Sequence, residues 1–348
     1  MNTEKEFNSG ALIDDRLPEV QAKDFTFEEI VAQVDPVNWV QKDPKDWRTF
    51  PIFDQDGSGS CVAQTAAKLL GINYWLKNGT YVHFSATHIY QRRSNKPGGG
   101  MIATNCFDIM REGTTLEALV PSQDMNDKEM DGIEIPEYKE DVGEIFKIKN
   151  YVSIASGDID KIASIIQKTG KGVMVWFYFK HNEWGKDVPE VKYPDLKRGD
   201  ASRHSVSAVD FTLYNGKKAL IIEDSWGPGT GKGGRRIITE DFFNQRNWFA
   251  GYALDFTFVE AEEEGTKPRF IFKKNLYYTS KVSYGDHDVI ALQNCLKYLG
   301  LFPKNVSSTG YFGALTKKAV QDFQTSQKIT ADGIVGPVTR AKLNTIFA

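Results

Sequence analysis

Hydrophobic positions along this chain change their spacing twice, and the changes divide it into zones. From about 46 to 135 the spacing is helical. Ala63, Ala66, Ala67, Leu69, Leu70 and Trp75 fall at helical spacings after Cys61, which predicts a helix opening at that cysteine. Further helices are predicted near 85–93 and across 105–110. From about 150 the pattern turns to strands at 146–148, 151–154 and 172–179, with a helix over 158–169. Two more strands carry His204 and Asp224, and Asn215-Gly216 between them reads as a tight hairpin turn. A charged boundary at 260–265 precedes a third zone, in which Phe270-Ile271-Phe272 could form a strand docked on a neighbour. Beyond it, helices are expected over 288–300, closed by Gly300, over 315–323 and over 338–347. Residues 1–45 are polar, with one short amphipathic stretch at 25–32.

Composition adds limits. With 348 residues, 41% of them hydrophobic and 26% charged, the chain has material for one large and one small core. A net charge of −3 gives no basic footprint, so nucleic acid is not an expected partner. No apolar run approaches the roughly 18 residues of a membrane span. The segment from Met1 to Asn8 lacks the basic and apolar regions of a secretory signal, so synthesis in the cytoplasm without standard export is expected. Cys61, Cys106 and Cys295 cannot all pair; Cys106 and Cys295 read as buried apolar positions, and a disulfide-free chain suits a reducing cytosol.

The chemistry centres on Phe53-Asp54-Gln55-Asp56-Gly57-Ser58-Gly59-Ser60-Cys61. Its glycines and serines cannot hold regular structure cheaply, so Cys61 stands at a helix start with Ser60 as the expected N-cap. Unpaired backbone N–H groups and the helix dipole there favour a thiolate, the form of cysteine that attacks. A lone cysteine is otherwise a small buried hydrophobe. Two distant phrases change that balance: Arg203-His204-Ser205-Val206, a histidine leading a strand, and Glu223-Asp224-Ser225-Trp226-Gly227, a carboxylate at a strand end. His83 and His88 are five apart, not the four that would align two histidines on one helix face, so they read as surface or packing residues. No metal or other cofactor is called for.

These residues resemble the papain-like cysteine peptidase family over about 46–260. Gln55 stands six positions before Cys61, where the family has its oxyanion-hole glutamine, and His204 follows Cys61 by 143 residues, within the family's roughly 130–150. Asp46-Trp47-Arg48 resembles the start of the family's mature domain, and Asp224-Ser225-Trp226-Gly227 resembles its Asn-Ser-Trp-Gly. Three departures stand out: Ser58 replaces the first motif cysteine and so removes a disulfide, Val62 replaces an aromatic residue, and Asp224 replaces the asparagine. The last should favour a thiolate–imidazolium pair.

The resemblance implies an α+β fold, with a helical lobe and a β-rich lobe facing each other across the active site. It implies Cys61 as nucleophile, His204 as general base and acid, Asp224 as orienter of the imidazole, and Gln55 with the Cys61 N–H as oxyanion hole. Gly98-Gly99-Gly100 is either a flexible turn or, read with the family, the place where Gly99 and Gly100 receive a peptide backbone, with Met101 near a side-chain pocket. Trp226, also a candidate at the substrate site, should shield the His–Asp contact from water. The polar 181–203 stretch is either a solvated loop or a rim over the site. Residues 1–45 are a surface extension or a short inhibitory or docking segment.

The last zone resembles the three-helix peptidoglycan-binding domain at Leu292-Gln293, Leu299-Gly300, Phe312-Gly313, Thr316, Ala319-Val320, Phe323-Gln324, Asp332-Gly333, Gly336-Pro337 and Thr339. Thr309 to Gly313 and Ala331 to Thr339 form a weak internal repeat. A domain of this fold could instead grip another protein. The expected organisation is an extension (1–45), a peptidase domain (46–262), a linker (263–283) and a small all-α domain (284–348). The expected activity is a cysteine endopeptidase held on bacterial cell wall, cutting peptidoglycan cross-links or wall-associated protein, in the setting of a bacteriophage lysin or virion component. The alternatives are a protein-directed peptidase merely anchored there or processing virion proteins, and a non-catalytic wall-binding structural protein.

Overall fold

The computed structural model describes residues 10–12, 36–135, 146–154, 157–254, 256–257, 267–279, 286–303, 308 and 310–348. The amphipathic stretch at 25–32 lies outside them. Chain contacts separate two compact units, one within Met1–Glu134 and Lys147–Phe256, the other holding Ile135–Phe146 and Thr257–Ala348.

The larger unit is built on α1 (Cys61–Asn78), buried from Cys61 through Tyr74 on every face and closed by Gly79 at φ 72°. Its small residues, Ala63, Ala66 and Ala67, let neighbouring elements approach closely around the full circumference. Three shorter helices accompany it. They are α2 (Ala86–Tyr90), capped by the Ser85 hydroxyl, α3 (Ala103–Glu112), and α4 (Asp127–Gly132), which begins with an Asn126–Glu129 capping box.

The strands are β1 (Lys147–Ile148), β2 (Tyr151–Ile154), β3 (Val173–Phe179), β4 (Ser202–Tyr214), β5 (Lys217–Glu223), β6 (Arg235–Thr239), β7 (Asn247–Ala253) and β8 (Phe256–Thr257). Six of them form one antiparallel sheet in the order β2-β7-β3-β4-β5-β6. The β4–β5 hairpin turns on Asn215 and Gly216, at φ 49° and 78°, as its sequence predicts. Helix α5 (Ile159–Thr169), capped by Asp158, buries Ile162 and Ile166 with Val175, Phe177 and Phe243 in the main core.

Two polar contacts join α1 to the sheet. The Ser205 hydroxyl donates to Thr65 Oγ1 at 3.0 Å, and Thr65 Oγ1 donates to the Cys61 carbonyl at 2.9 Å. One turn further on, Lys68 and Glu223 form a buried ion pair at 2.8 Å, in which Glu223 also accepts from the Phe50 N–H at 2.7 Å and from Arg235. A lysine amid Ala66-Ala67 and Leu69-Leu70 is the sequence sign of that pair.

The segment 181–203 is not a plain solvated loop. It starts with the short helix α6 (His181–Trp184), whose Trp184 stacks on Phe179 at 4.4 Å, and Glu183 makes a buried ion pair with Arg246 at 2.7 Å. Arg246 ends α7 (Glu240–Arg246), so the run into His204 is fastened at its base.

The smaller unit contains α8 (His287–Tyr298), α9 (Ala314–Ser326) and α10 (Pro337–Phe347) around Leu292, Leu296, Phe323 and Leu343. Part of the stretch read as a linker packs here too. Phe270 forms no strand, but its N–H donates to the Phe347 carbonyl at 2.8 Å, and Phe272 and Leu276 enter the core.

The weak repeat in this unit has a structural cause. Gln293 Nε2 donates to the Tyr311 carbonyl and to Thr316 Oγ1, while its Oε1 accepts from the Gly310 N–H. Gln324 makes the same three bonds to Ile334, Thr339 and Gly333. Gly310 and Gly333 take φ of 72° and 76°, which turns each N–H back toward its glutamine in a conformation costly for other residues. The shared phrase thus encodes a buried amide that ties a loop to the first turn of the next helix.

Candidate active site

Cys61 is fully buried at the first position of α1. Ser60 occupies the N-cap position but makes no capping hydrogen bond; its hydroxyl instead meets Ser58 Oγ at 2.6 Å and Gln64 Nε2 at 3.4 Å. The expected side-chain cap is therefore replaced by a small hydroxyl network. Ser58, at the position of the missing disulfide cysteine, also donates to the Gln55 carbonyl at 2.8 Å.

Gln55 is brought to Cys61 by pairing between distant segments. The Gln55 N–H donates to the Ser225 carbonyl at 2.8 Å, Gly227 N–H donates to Phe53, and Asp54 bridges Trp226. The Ser225 hydroxyl then donates to Gln55 Oε1 at 2.6 Å, which fixes the amide so that its nitrogen points back toward the residues before Cys61. One of its hydrogens goes to the Ser58 carbonyl at 2.5 Å.

His204 is near the start of β4, opposite Phe177 of β3. Its Nε2 lies 2.6 Å from Asp224 Oδ1, and since an ionised carboxylate only accepts, Nε2 carries the proton. Nδ1 has no hydrogen-bond partner among the described residues, and Cys61 is close enough to help raise the pKa of the ring. Burial alone would lower the imidazole pKa; the Asp224 charge and hydrogen bond, with Cys61 behind them, raise it to about 9. Burial pushes Asp224 upward, but His204 first, then Arg236 and Trp184, hold it down at about 2.

Aromatic rings close this pair off from water. Trp226 stacks on the imidazole at 4.4 Å, while Phe179 and Trp184 meet it edge-on at 6.5 and 6.1 Å. Trp226 thus covers the histidine.

Asp224 has two partners that the sequence pattern does not reveal. Trp184 Nε1 donates to Oδ2 at 3.0 Å, and Arg236 Nε donates to the same oxygen at 3.1 Å. A tryptophan inside a polar stretch and an arginine on a strand between buried neighbours were the available signals. Cys106 is buried with its thiol pKa pushed far up by that burial; it lies in α3, with Sγ 3.9 Å from the Val62 carbonyl. His88 is buried in α2 against Arg92 and Thr115, so it packs and does not ligate. No cluster of metal-ligating residues occurs, and no helix is long and apolar enough to cross a membrane, among the described residues.

Gly100 and Met101 meet the chain's own N-terminal segment. Met101 N–H donates to the Gly10 carbonyl at 2.8 Å, Leu12 N–H donates to the Met101 carbonyl at 3.1 Å, and Ala11 N–H reaches the Arg203 carbonyl at 3.5 Å. Ala11 is buried. Gly100 adopts φ 75°, and a Cβ there would sit 2.6 Å from the Gly10 carbonyl oxygen. Gly99 lies near Asp127, and a Cβ on it would be 3.2 Å from that carboxylate. Residues 10–12 therefore run from the helical side to the residue before His204.

Comparison with known proteins agrees with this geometry. The family model for papain family cysteine protease matches residues 36–245, and a peptidoglycan binding domain model matches 285–343. A cathepsin L-like proteinase of Phaedon cochleariae is 26% identical over 211 residues, 56% of this chain and 60% of that protein. An uncharacterized protein in the bpoA1 3' region of Kitasatospora aureofaciens is 44% identical over 57 residues, 16% of this chain and 48% of that protein. The chain thus spans only part of the curated relatives it matches, 60% of one and 48% of the other.

Among solved structures, xylellain, a cysteine protease from Xylella fastidiosa, aligns with a TM-score of 0.56 at 16% identity, covering 73% of this chain and 99% of the other. Digestive procathepsin L2 from Tenebrio molitor aligns at 0.57 and 16% identity, covering 72% and 78%. At such identities the likeness carries the fold. With a buried Cys61, His204 and Asp224 assembled on that fold, and a family match over most of the larger unit, the chain belongs to the papain family of cysteine proteases.

Proposed function

We propose that this protein is a cysteine endopeptidase directed to bacterial cell wall, hydrolysing peptide bonds in peptidoglycan cross-links or in wall-associated protein. The observation that carries the reading is the buried His204 ring, held by Asp224 at Nε2, its Nδ1 without a hydrogen-bond partner among the described residues, and raised in pKa by Asp224 and by a cysteine at a helix start. The Cys61 thiolate attacks the scissile carbonyl carbon, and the oxyanion receives the Cys61 N–H and the Gln55 amide. His204 gives its proton to the leaving amine, whose C–N bond breaks. Water, losing its proton to His204, then cleaves the thioester, releasing the acid and restoring Cys61.

The C-terminal unit supplies the targeting. Holding the catalytic unit on the wall raises its local concentration there without any change in the site. The setting this reading favours is a bacteriophage lysin or virion component; secretion of the native protein by an uninfected bacterium overturns that part.

A second reading concerns regulation, and the Gly10–Leu12 pairing with Met101 favours it: the N-terminal segment is an inhibitory strap over the substrate groups. Release of new amino groups from purified peptidoglycan and from denatured casein, by wild type against Cys61→Ala under reducing conditions, tests the function. Release from the wall by wild type alone supports a wall endopeptidase. Release from casein alone makes the protein a wall-anchored protein peptidase, and silence on both, before and after removal of the strap, removes the enzymatic reading.

A further inference from the structure

The family's orienting residue is an amide, and here it is a carboxylate whose second oxygen faces two donors. Oδ1 accepts from His204 Nε2 and, at 2.8 Å, from the Ser225 N–H, while Oδ2 accepts from Trp184 Nε1 and Arg236 Nε. An asparagine in this place would set its NH2 group against one or the other pair of donors. The guanidinium is itself fixed: Nη1 donates to the Lys186 carbonyl at 3.0 Å, the group lies over the Trp184 ring at 5.2 Å, and Arg236 is buried on β6.

We propose that Arg236 is a positioning residue of the catalytic pair, an ion-pair partner that makes a carboxylate workable at position 224 and balances part of its charge against His204. The inference rests on the peptidase reading above. Without the arginine, Asp224 would act on the imidazole unopposed. An overly basic His204 remains protonated in the acyl-enzyme, where a neutral ring is needed to take a proton from water. Arg236 therefore tunes the second half of the reaction as well as holding the first. The charged groups acting on this pair are Cys61 from α1, Asp224 at the end of β5 and Arg236 from β6. Lys68 acts on Asp224 from farther along α1, and the His181 ring lies 6.3 Å from Trp226.

The test follows the His204 ring of the full chain by NMR titration against pH, which reads loss of the pair as the imidazolium gives up its proton. Ultraviolet absorbance, taken as the difference between each variant and the same variant carrying Cys61→Ala, accompanies it and reports whether Cys61 is a thiolate. Wild type should keep the thiolate–imidazolium pair up to about pH 9. In Arg236→Met the midpoint for loss of the pair should rise by roughly one pH unit, with kcat falling on the order of tenfold to a hundredfold and KM little changed. Arg236→Lys should return the midpoint toward wild type. Asp224→Asn should lose more activity alone than in Asp224→Asn with Arg236→Met, and the double variant should lose the pair at a lower pH than wild type.

A folded Arg236→Met with an unchanged midpoint overturns the proposal. Should that variant not fold, the double variant decides: activity no higher than that of Asp224→Asn alone overturns the inference, and higher activity supports it. A wild type with no thiolate signal attributable to Cys61 would instead sink the peptidase reading itself.

Discussion

Both units bury polar side chains, but for different ends. In the helical unit the buried groups are Gln293, Gln324, Thr316 and Thr339, neutral and paired with one another and with loop carbonyls, so their work is finished once the chain has folded. In the peptidase unit the buried set is ionic: Lys68 with Glu223, Glu183 with Arg246, and His204 with Asp224 and Arg236. Burying charge is expensive even when paired, and neutral amides would hold a fold at lower cost. The contrast teaches that charge is retained inside the larger unit where a proton must move, with the neighbouring ion pairs aligning the elements that carry it.

The comparison can be broken in several places. Cys61→Ala should remove turnover by a factor on the order of ten thousand or more, with wall binding and thermal unfolding nearly unchanged, as read by amino-group release beside a sedimentation assay with insoluble wall. Lys68→Met should cost about 1–3 kcal/mol, since Glu223 loses one buried charged partner but keeps Arg235 and the Phe50 N–H. All seven tryptophans lie at or before Trp248, so tryptophan fluorescence follows the larger unit alone and should report this loss while the helical unit's circular dichroism transition does not move.

In the helical unit, Gln324→Ala should destabilise by about 1–3 kcal/mol for each buried partner it leaves unpaired. Gln293→Ala should cost somewhat less, because Gln324 also holds Asp332 at 2.8 Å, a bond to which the described residues around Gln293 show no counterpart. Equal losses in denaturant titrations would show that the Asp332 contact adds nothing.

Gly10→Val tests the strap. A Cβ on Gly10 would fall 1.7 Å from the Gly59 carbonyl oxygen, so the side chain cannot be accommodated and residues 10–12 should lift away. Losing a few hydrogen bonds worth roughly 1 kcal/mol each should raise initial activity by up to about a hundredfold; an unchanged rate would leave the strap without an inhibitory role.

The smallest effect is the response to pH, where the two units should differ in sign. His204 is raised above its ordinary 6.5 to about 9, so its contribution is full below 6.5 and is lost as pH rises through 9. Asp224, lowered from 3.8 to about 2, contributes above 3.8 and loses that contribution as pH falls through 2. Lys297 of the helical unit is lowered by burial to about 8, so that unit should gain stability as pH rises from 8 toward the ordinary lysine value of 10.5. Fluorescence and circular dichroism melts at several pH values between 6 and 10 read the two slopes.

The sequence by itself determined the elements and the chemical cast. Helical spacing after Cys61, Asn215-Gly216 at the hairpin and the repeated glycine phrases of the last domain are local signals, because helix period, positive φ and turn chemistry are settled within a few residues. The order of Gln55, Cys61, His204 and Asp224 could be read through family resemblance. What the tertiary structure alone decided is everything that depends on which distant segments meet. Gln55 owes its orientation to Ser225, Asp224 its charge balance to Trp184 and Arg236, and Met101 its partner to Gly10. No periodicity encodes such pairings, since sheet register and chain crossing are fixed by the whole core, and a buried charge reveals its purpose only beside the group it faces.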